Sequence, residues 1–171
     1  MTQEQFDSAY PMIAAWIDQT LASHLHQAVS VASLGFKRLP HFFPAELLRC
    51  AHVVYVPAVP VPPLASMGFE EFSEFEQGDF AGITYLNTFF SRFEKRDDEA
   101  HHFHELIHVI QWQILGPKSF LAAYADGISR IGYRQSPLEV MAYTLQNVFR
   151  RSHSPFEAAA VVTDELRALY Y

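Results

Sequence analysis

The sequence contains a single cysteine, Cys50, in 171 residues. One thiol cannot form a disulfide within the chain, and it cannot supply a zinc cluster built from several cysteines. Basic residues are also few, since 12 Lys and Arg stand against 19 Asp and Glu and the formal net charge is −7. This balance excludes the basic face that a nucleic-acid-binding protein presents. We therefore expect no nucleic-acid partner.

Long apolar runs and targeting signals are absent as well. No uninterrupted apolar run approaches the ~18 residues that a transmembrane helix requires, so we expect no membrane partner. Residues 1–5 include no basic residue, whereas a signal peptide begins with a basic segment. We predict a cytoplasmic protein of bacterial type.

Apolar residues are abundant in the rest of the chain. Half of all residues are hydrophobic and 15% are aromatic, which is too apolar a composition for a disordered chain. The length is typical of one domain with a core large enough to fold without disulfides or structural metal ions. Because no repeat or linker interrupts the pattern, we predict a single domain over residues 1–171.

Hydrophobic spacing predicts an α+β fold that is mostly helical, with a small sheet near the helix that carries the motif described below. Apolar residues recur at three- and four-residue steps in most segments, as in amphipathic helices. Gly116 and Pro117 are typical of a helix end. The predicted helices cover residues 3–28, 45–50, 98–115, 118–131, 137–151 and 155–169, and the predicted strands cover residues 53–56 and 81–86.

Residues 68–80 alternate phenylalanines with acidic residues. One interpretation is a short helix that packs its phenylalanines inward. The other is an acidic lid or rim over a cleft. The pattern leaves both interpretations open.

A His-Glu-x-x-His motif occupies residues 104–108, inside the predicted helix 98–115. On a helix, positions i and i+4 share one face, so His104 and His108 can bind the same zinc ion. Glu105 beside them can act as a general base on water bound to that ion. The helix is apolar over most of its surface, and two buried histidines need polar partners. A metal ion is one way to satisfy both.

A catalytic zinc site usually has three protein ligands, so a third must come from elsewhere in the chain. Glu139, at the start of the predicted helix 137–151, is the leading candidate. Glu139 and Ser136 also form the pattern of a capping box, in which the glutamate would bond back to the backbone of Ser136. Asp126 and His153 are weaker candidates. The residues alone leave the ligand and cap roles of Glu139 open.

The motif at residues 104–111, followed by residues 137–143, resembles the small gluzincin-type zincin domains of bacteria, many of them uncharacterised metallopeptidases. The similarity covers roughly residues 80–145. It implies a zincin-like fold and a zinc ion held by His104, His108 and Glu139, with Glu105 as the base. It also implies that the strand at residues 81–86 lines the cleft and pairs with an extended peptide.

The chain departs from larger gluzincins at Tyr143, where those enzymes often carry an acidic residue that orients a ligand. We therefore expect Asn87, Asp126 or a backbone carbonyl to orient the histidines. Tyr133, before Glu139, is a candidate donor to the oxyanion of the reaction. The alternative, which is the more common one for a tyrosine, is a core residue with its hydroxyl at the surface. His101 could contact the site, but its position predicts an exposed residue in the first turn.

The predicted function is zinc-dependent hydrolysis of peptide bonds in a peptide or protein substrate. One alternative is an inactive zinc-binding relative that keeps the metal for structure or for partner binding. Another is a helical scaffold with a fortuitous motif. Motif and fold do not establish turnover.

Overall fold

The computed structural model describes residues 2–152 and 154–170, and helices dominate it. The helices are α1 (Gln3–His24), α2 (Ala45–Cys50), α3 (Ser73–Glu76), α4 (Glu99–Ile131), α5 (Pro137–Arg151) and α6 (Ala158–Tyr170). The strands are β1 (Val29–Ser30), β2 (His52–Val56), β3 (Gly82–Tyr85) and β4 (Thr88–Arg92). The predicted α+β class, mostly helical with a small sheet, is confirmed. Among the described residues, no helix has the length and apolar character needed to cross a membrane.

The four strands form one mixed sheet in the order β1-β2-β4-β3. β2 and β4 are parallel, and the other two pairs are antiparallel. β1 and β4 were not among the predicted strands. In β4, Phe89, Phe90 and Ser91 are all buried, so β4 lacks the alternation that marks a strand with one solvent-facing side. β3 lies at the edge of the sheet, beside α4.

Helix α4 consists of two helical segments joined at Gly116. This glycine has φ 74° and ψ 163°, a conformation that is open to glycine and costly for other residues. The predicted break at Gly116 and Pro117 is therefore confirmed. Phe120 of the second segment stacks on Trp112 of the first, with ring centroids 4.0 Å apart. At the other end, the Asp98 side chain accepts a hydrogen bond from the His101 amide at 3.0 Å, as an N-cap does.

The first segment of α4 forms the centre of the core. Every residue from Ala100 to Trp112 is buried. Phe103 stacks on Phe149 of α5 with ring centroids 4.5 Å apart, and Trp112 donates a hydrogen bond to the Thr84 carbonyl of β3 at 3.1 Å. The motif helix is thus held between α5 and the sheet edge.

The segment at residues 68–80 forms a 3-10 turn, Glu70–Phe72, followed by the single turn of α3. Phe72 and Phe75 are buried, whereas Glu70 and Glu74 are exposed. The prediction of inward-packed phenylalanines is confirmed. Glu70 and Glu74 lie on the outer face, whereas Glu76 is half-buried and its Oε2 accepts a hydrogen bond from the Ala65 amide at 2.9 Å. The role of the acidic side chains as a rim stays a prediction.

Candidate metal centre

Three side chains that can bind a metal converge between α4 and α5. His104 and His108 lie one turn apart on α4, and Glu139 lies in the first turn of α5. The Nε2 atoms of the two histidines are 3.1 Å apart. Glu139 places Oε2 at 3.5 Å from His104 Nε2 and Oε1 at 3.3 Å from His108 Nε2. The three residues are buried, and each offers a ligand atom within 4.8 Å of the others.

Close packing between the second segment of α4 and the start of α5 brings Glu139 to this point. Gly127 lies against the start of α5, where an added Cβ would come within 2.6 Å of Ser136 Cβ. The capping box is not formed, because the Ser136 side chain makes no cap hydrogen bond. The Glu139 carboxylate faces the histidines instead of turning back to the backbone of Ser136.

His108 is oriented by a hydrogen bond that also joins the two helices. Its Nδ1 donates to Gln111 Oε1 at 2.8 Å, and Gln111 Nε2 donates to the Leu138 carbonyl at 3.1 Å. A partner at Nδ1 leaves Nε2 of His108 available to a metal, which is how ligand histidines are commonly held. Gln111 follows His108 by three positions and therefore lies on the same face of α4, but it was not predicted as this partner.

Neither side chain predicted to orient the histidines does so. Asn87 is exposed and donates to the Cys50 carbonyl at 2.9 Å. Asp126 faces away from the centre and pairs with Arg130 at 3.4 Å, with 62% of its side chain exposed. These predictions were wrong because proximity along the sequence does not determine which way a side chain faces once the segments pack. Asp126 is likewise not a ligand, and His153 lies outside the described residues.

His104 is held by an aromatic contact. The Tyr143 ring lies beside it with ring centroids 4.5 Å apart. Among the described residues, His104 Nδ1 is buried without a hydrogen-bond partner. At the position where larger gluzincins often carry an acidic residue, Tyr143 packs against this histidine.

Glu105 is buried beside the three residues and is held by the edge strand. Thr84 of β3 donates a hydrogen bond from Oγ1 to Glu105 Oε2 at 2.7 Å. Gly82 leaves room for the carboxylate, since an added Cβ there would meet both Glu105 and the His101 ring. Oε2 accepts this hydrogen bond, whereas Oε1 accepts none from the described residues, so Oε1 is the more available of the two oxygens to take a proton.

His101 is buried rather than exposed as predicted. Its Nε2 lies 3.0 Å from Ser91 Oγ of β4, and its Nδ1 lies 4.0 Å from Glu105 Oε1. The prediction was wrong because β4, which packs over this turn, was not recognised in the sequence. Burial lowers the pKa of His101 to about 4, so its ring is neutral at pH 7 and adds no positive charge beside Glu105.

Tyr124 is a site residue that was not predicted from the sequence. Its hydroxyl donates to Glu139 Oε1 at 2.5 Å. Burial, together with Glu139, raises the pKa of Tyr124 well above its usual value, so the hydroxyl keeps its proton. Tyr133, in the 3-10 turn Tyr133–Gln135, lies beside Tyr124 with ring centroids 6.2 Å apart. No sequence signal distinguishes Tyr124 from an ordinary core tyrosine.

Glu139 and His108 stabilise each other's charged form. Burial by itself raises the pKa of Glu139, but His108 and His104 outweigh it and hold that pKa far below its usual range. Burial likewise favours neutral His108, yet the Glu139 carboxylate raises the pKa of this imidazole to about 9. Without a metal, the centre therefore contains a carboxylate and an imidazolium at neutral pH.

Two cavities of different character flank the centre, and both are lined in part by Glu105 and Tyr133. One is apolar and measures about 80 Å³. The other measures about 490 Å³ and is lined by polar and charged side chains, Arg134 and Arg150 among them. Glu105 and Tyr133 thus lie at the boundary between an apolar and a polar space.

No family model, no curated protein and no solved structure matches this chain.

The hydrogen bond between Thr84 and Glu105 can be tested without an activity assay. Thr84→Val keeps the side-chain shape and removes the donor, leaving a buried carboxylate oxygen unpaired. We expect the free energy of unfolding to fall by about 1–3 kcal/mol, the usual cost of leaving such a group unsatisfied. Chemical denaturation measures it. Thr84→Ser keeps the hydroxyl and is the control, and an equal loss in both variants would contradict this role.

Proposed function

We propose that the protein is a zinc-dependent peptidase whose centre consists of His104, His108 and Glu139, with Glu105 as general base. The observation that carries this proposal is the convergence of three buried ligand atoms beside a buried glutamate. Glu139 Oε2 is buried and has no hydrogen-bond partner among the described residues, as expected for an atom that binds an ion. Two imidazoles and a carboxylate form a donor set that suits zinc.

The roles of the chain's own groups follow from their contacts. Glu105 Oε1 takes a proton from the attacking water as the water oxygen bonds to the peptide carbon. The C–N bond then breaks, and Glu105 passes the proton to the leaving amine. Thr84 holds the other carboxylate oxygen, and Tyr133 is the candidate donor to the carbonyl oxygen. Zinc, when bound, supplies Lewis acidity that stabilises negative charge on oxygen.

The edge strand supports a peptide as the substrate. The amide of Arg92 donates to the Ala81 carbonyl at 2.9 Å, so in this antiparallel pair residues 81, 83 and 85 direct their backbone groups toward β4. Gly82, in between, directs its N–H and C=O to the open edge. An extended peptide can pair there, next to Glu105.

Metal content is the direct test of the proposal. Protein purified without a histidine tag and supplied with zinc should contain about one zinc per chain, because the centre has one set of ligands. Elemental analysis measures it, and a chelator should remove it. Protein that contains no metal after this treatment would overturn the proposal.

Zinc binding to the metal-free protein should also depend on pH. The pKa of His108 is raised to about 9, and a ligand imidazole must be neutral, so below that pH the ion displaces a proton. Apparent affinity should rise by up to ~10-fold per pH unit from neutral pH and level off above the pKa. Calorimetry in two buffers of different ionisation enthalpy counts the protons. Affinity that is independent of pH would contradict the assignment of His108.

A second candidate function is a structural zinc site without turnover. The burial of all three ligand residues and the link through Gln111 between α4 and α5 favour it, since an ion there would join the two helices. This candidate predicts the same metal content and no hydrolysis of any peptide. It also predicts that Glu105→Gln changes nothing except local packing.

A further inference from the structure

The apolar cavity beside the centre is lined mostly by large apolar side chains. It lies between residues 72–80, the edge strand β3 and the second segment of α4. Its walls include Phe72, Phe75, Phe80, Trp112, Phe120 and Ile128. Such a surface favours a ligand group without charge or hydrogen-bonding atoms.

The polar groups of this cavity lie at the metal centre. Glu105, His108 and Glu139 contribute to its lining, and these are the groups that the proposed function uses. A molecule that occupies the cavity therefore reaches the base and the ligand residues with one end. The cavity is continuous with the site and is not a separate void in the core.

Its size restricts what can enter. A cavity of ~150 Å³ lined by apolar residues holds benzene, whereas this one measures about 80 Å³. A branched or linear aliphatic group of three or four carbons suits this volume. An indole is too large for it. A charged group would lose its hydration on entering and would find no polar partner in the apolar walls.

We propose that this cavity receives an aliphatic side chain, of valine, leucine, isoleucine or methionine, from the substrate residue next to the cleaved bond. The inference rests on the proposed hydrolysis and names its substrate class. A peptide paired with the open edge at Gly82 passes beside Glu105, and alternate side chains of an extended peptide point to the same face. One of them can then enter the cavity while the peptide bond lies at the centre.

The experiment uses hexapeptides in which one position at a time carries Ala, Leu or Trp. Binding is measured by calorimetry to zinc-loaded Glu105→Gln protein, and kcat/KM is measured for the unmodified chain. At one position, the peptide with Leu should have an affinity and a kcat/KM at least ~10-fold higher than the peptides with Ala or Trp. This is the discrimination expected when an apolar pocket gains or loses a few carbons. Equal values for all three residues at every position would overturn the inference.

A cavity-filling variant provides a second measurement. Ala125 lines the cavity, so Ala125→Phe should reduce the ratio of kcat/KM for the Leu peptide to kcat/KM for the Ala peptide to nearly 1. Ala122, on the same helical segment but in the lining of a different surface depression, supplies the control Ala122→Phe, which should keep the ratio. A Leu preference that survives Ala125→Phe would overturn the inference. If Ala125→Phe does not fold, the peptide series on the unmodified chain decides by itself.

The outcomes separate the inference from the function on which it rests. Hydrolysis without a preference among the peptides leaves the function standing and overturns the cavity assignment. A Leu preference in binding without hydrolysis supports the cavity assignment and overturns the enzymatic function. Absence of both binding and hydrolysis overturns both.

Discussion

Replacing Glu105 with glutamine should lower peptide hydrolysis by at least ~10²-fold, the usual scale for loss of a general base, while zinc remains bound. Glutamine keeps the size of the side chain, and its oxygen can still accept the hydrogen bond from Thr84. It cannot take a proton from water at neutral pH. Elemental analysis and kcat measured on the same sample test the two parts of the prediction together.

A matched control for this variant is His101→Gln, since His101 lies on the same helix one turn earlier and contacts neither ligand histidine through a hydrogen bond. We expect a smaller loss of hydrolysis than in Glu105→Gln. Loss of zinc with full residual activity in Glu105→Gln would reverse the roles assigned to Glu105 and the ligand residues. Unchanged activity with zinc in place would favour the structural zinc site.

Glu139→Gln should weaken zinc binding by at least ~10-fold. Loss of a group that merely orients a ligand typically costs ~10–100-fold in metal affinity, and a neutral amide in place of a ligand carboxylate should cost no less. The stabilisation that zinc gives to the folded protein should shrink with the affinity. Competition with a chromophoric chelator measures the affinity, and thermal unfolding with and without zinc measures the stabilisation.

Ser136→Ala is the matched control for Glu139→Gln. Ser136 begins the same helix, but its hydroxyl is buried without a hydrogen-bond partner among the described residues. The sequence pattern by itself suggests a loss of about 1 kcal/mol, the usual value of a cap. Because the Ser136 hydroxyl has no hydrogen bond to lose, we expect stability to change by less than the ~0.5–1.5 kcal/mol that a hydrogen bond contributes and zinc affinity to stay the same. Equal effects in both variants would leave Glu139 with only a structural role.

The local features of the centre could be predicted from the sequence because they depend on near neighbours in the chain. The spacing of His104 and His108 places both imidazoles on one helix face whatever the rest of the protein does. The break at Gly116 follows from the backbone freedom of glycine and the restrictions of proline. Glu139 was also singled out, but the residues allowed it two roles.

Other parts of the fold and the site could not be predicted because they depend on contacts between distant segments. β4 is buried on both sides and carries no alternating pattern, so the strand that covers His101 was not recognised. Tyr124 reaches Glu139 only because the chain turns at Gly116 and the second segment of α4 packs against the start of α5. The same packing turns Asp126 away from the centre.

The sequence by itself thus determined the motif helix, its two histidines and the neighbouring glutamate, since the periodicity of a helix is a local property. Only the tertiary structure decided that Glu139 faces the histidines and that an apolar cavity opens beside them. It also decided that Thr84 binds the Glu105 carboxylate and that Tyr124 binds the Glu139 carboxylate. These arrangements depend on how buried surfaces fit together. A side chain's direction in a packed core is set by its neighbours in space, which lie far apart along the chain.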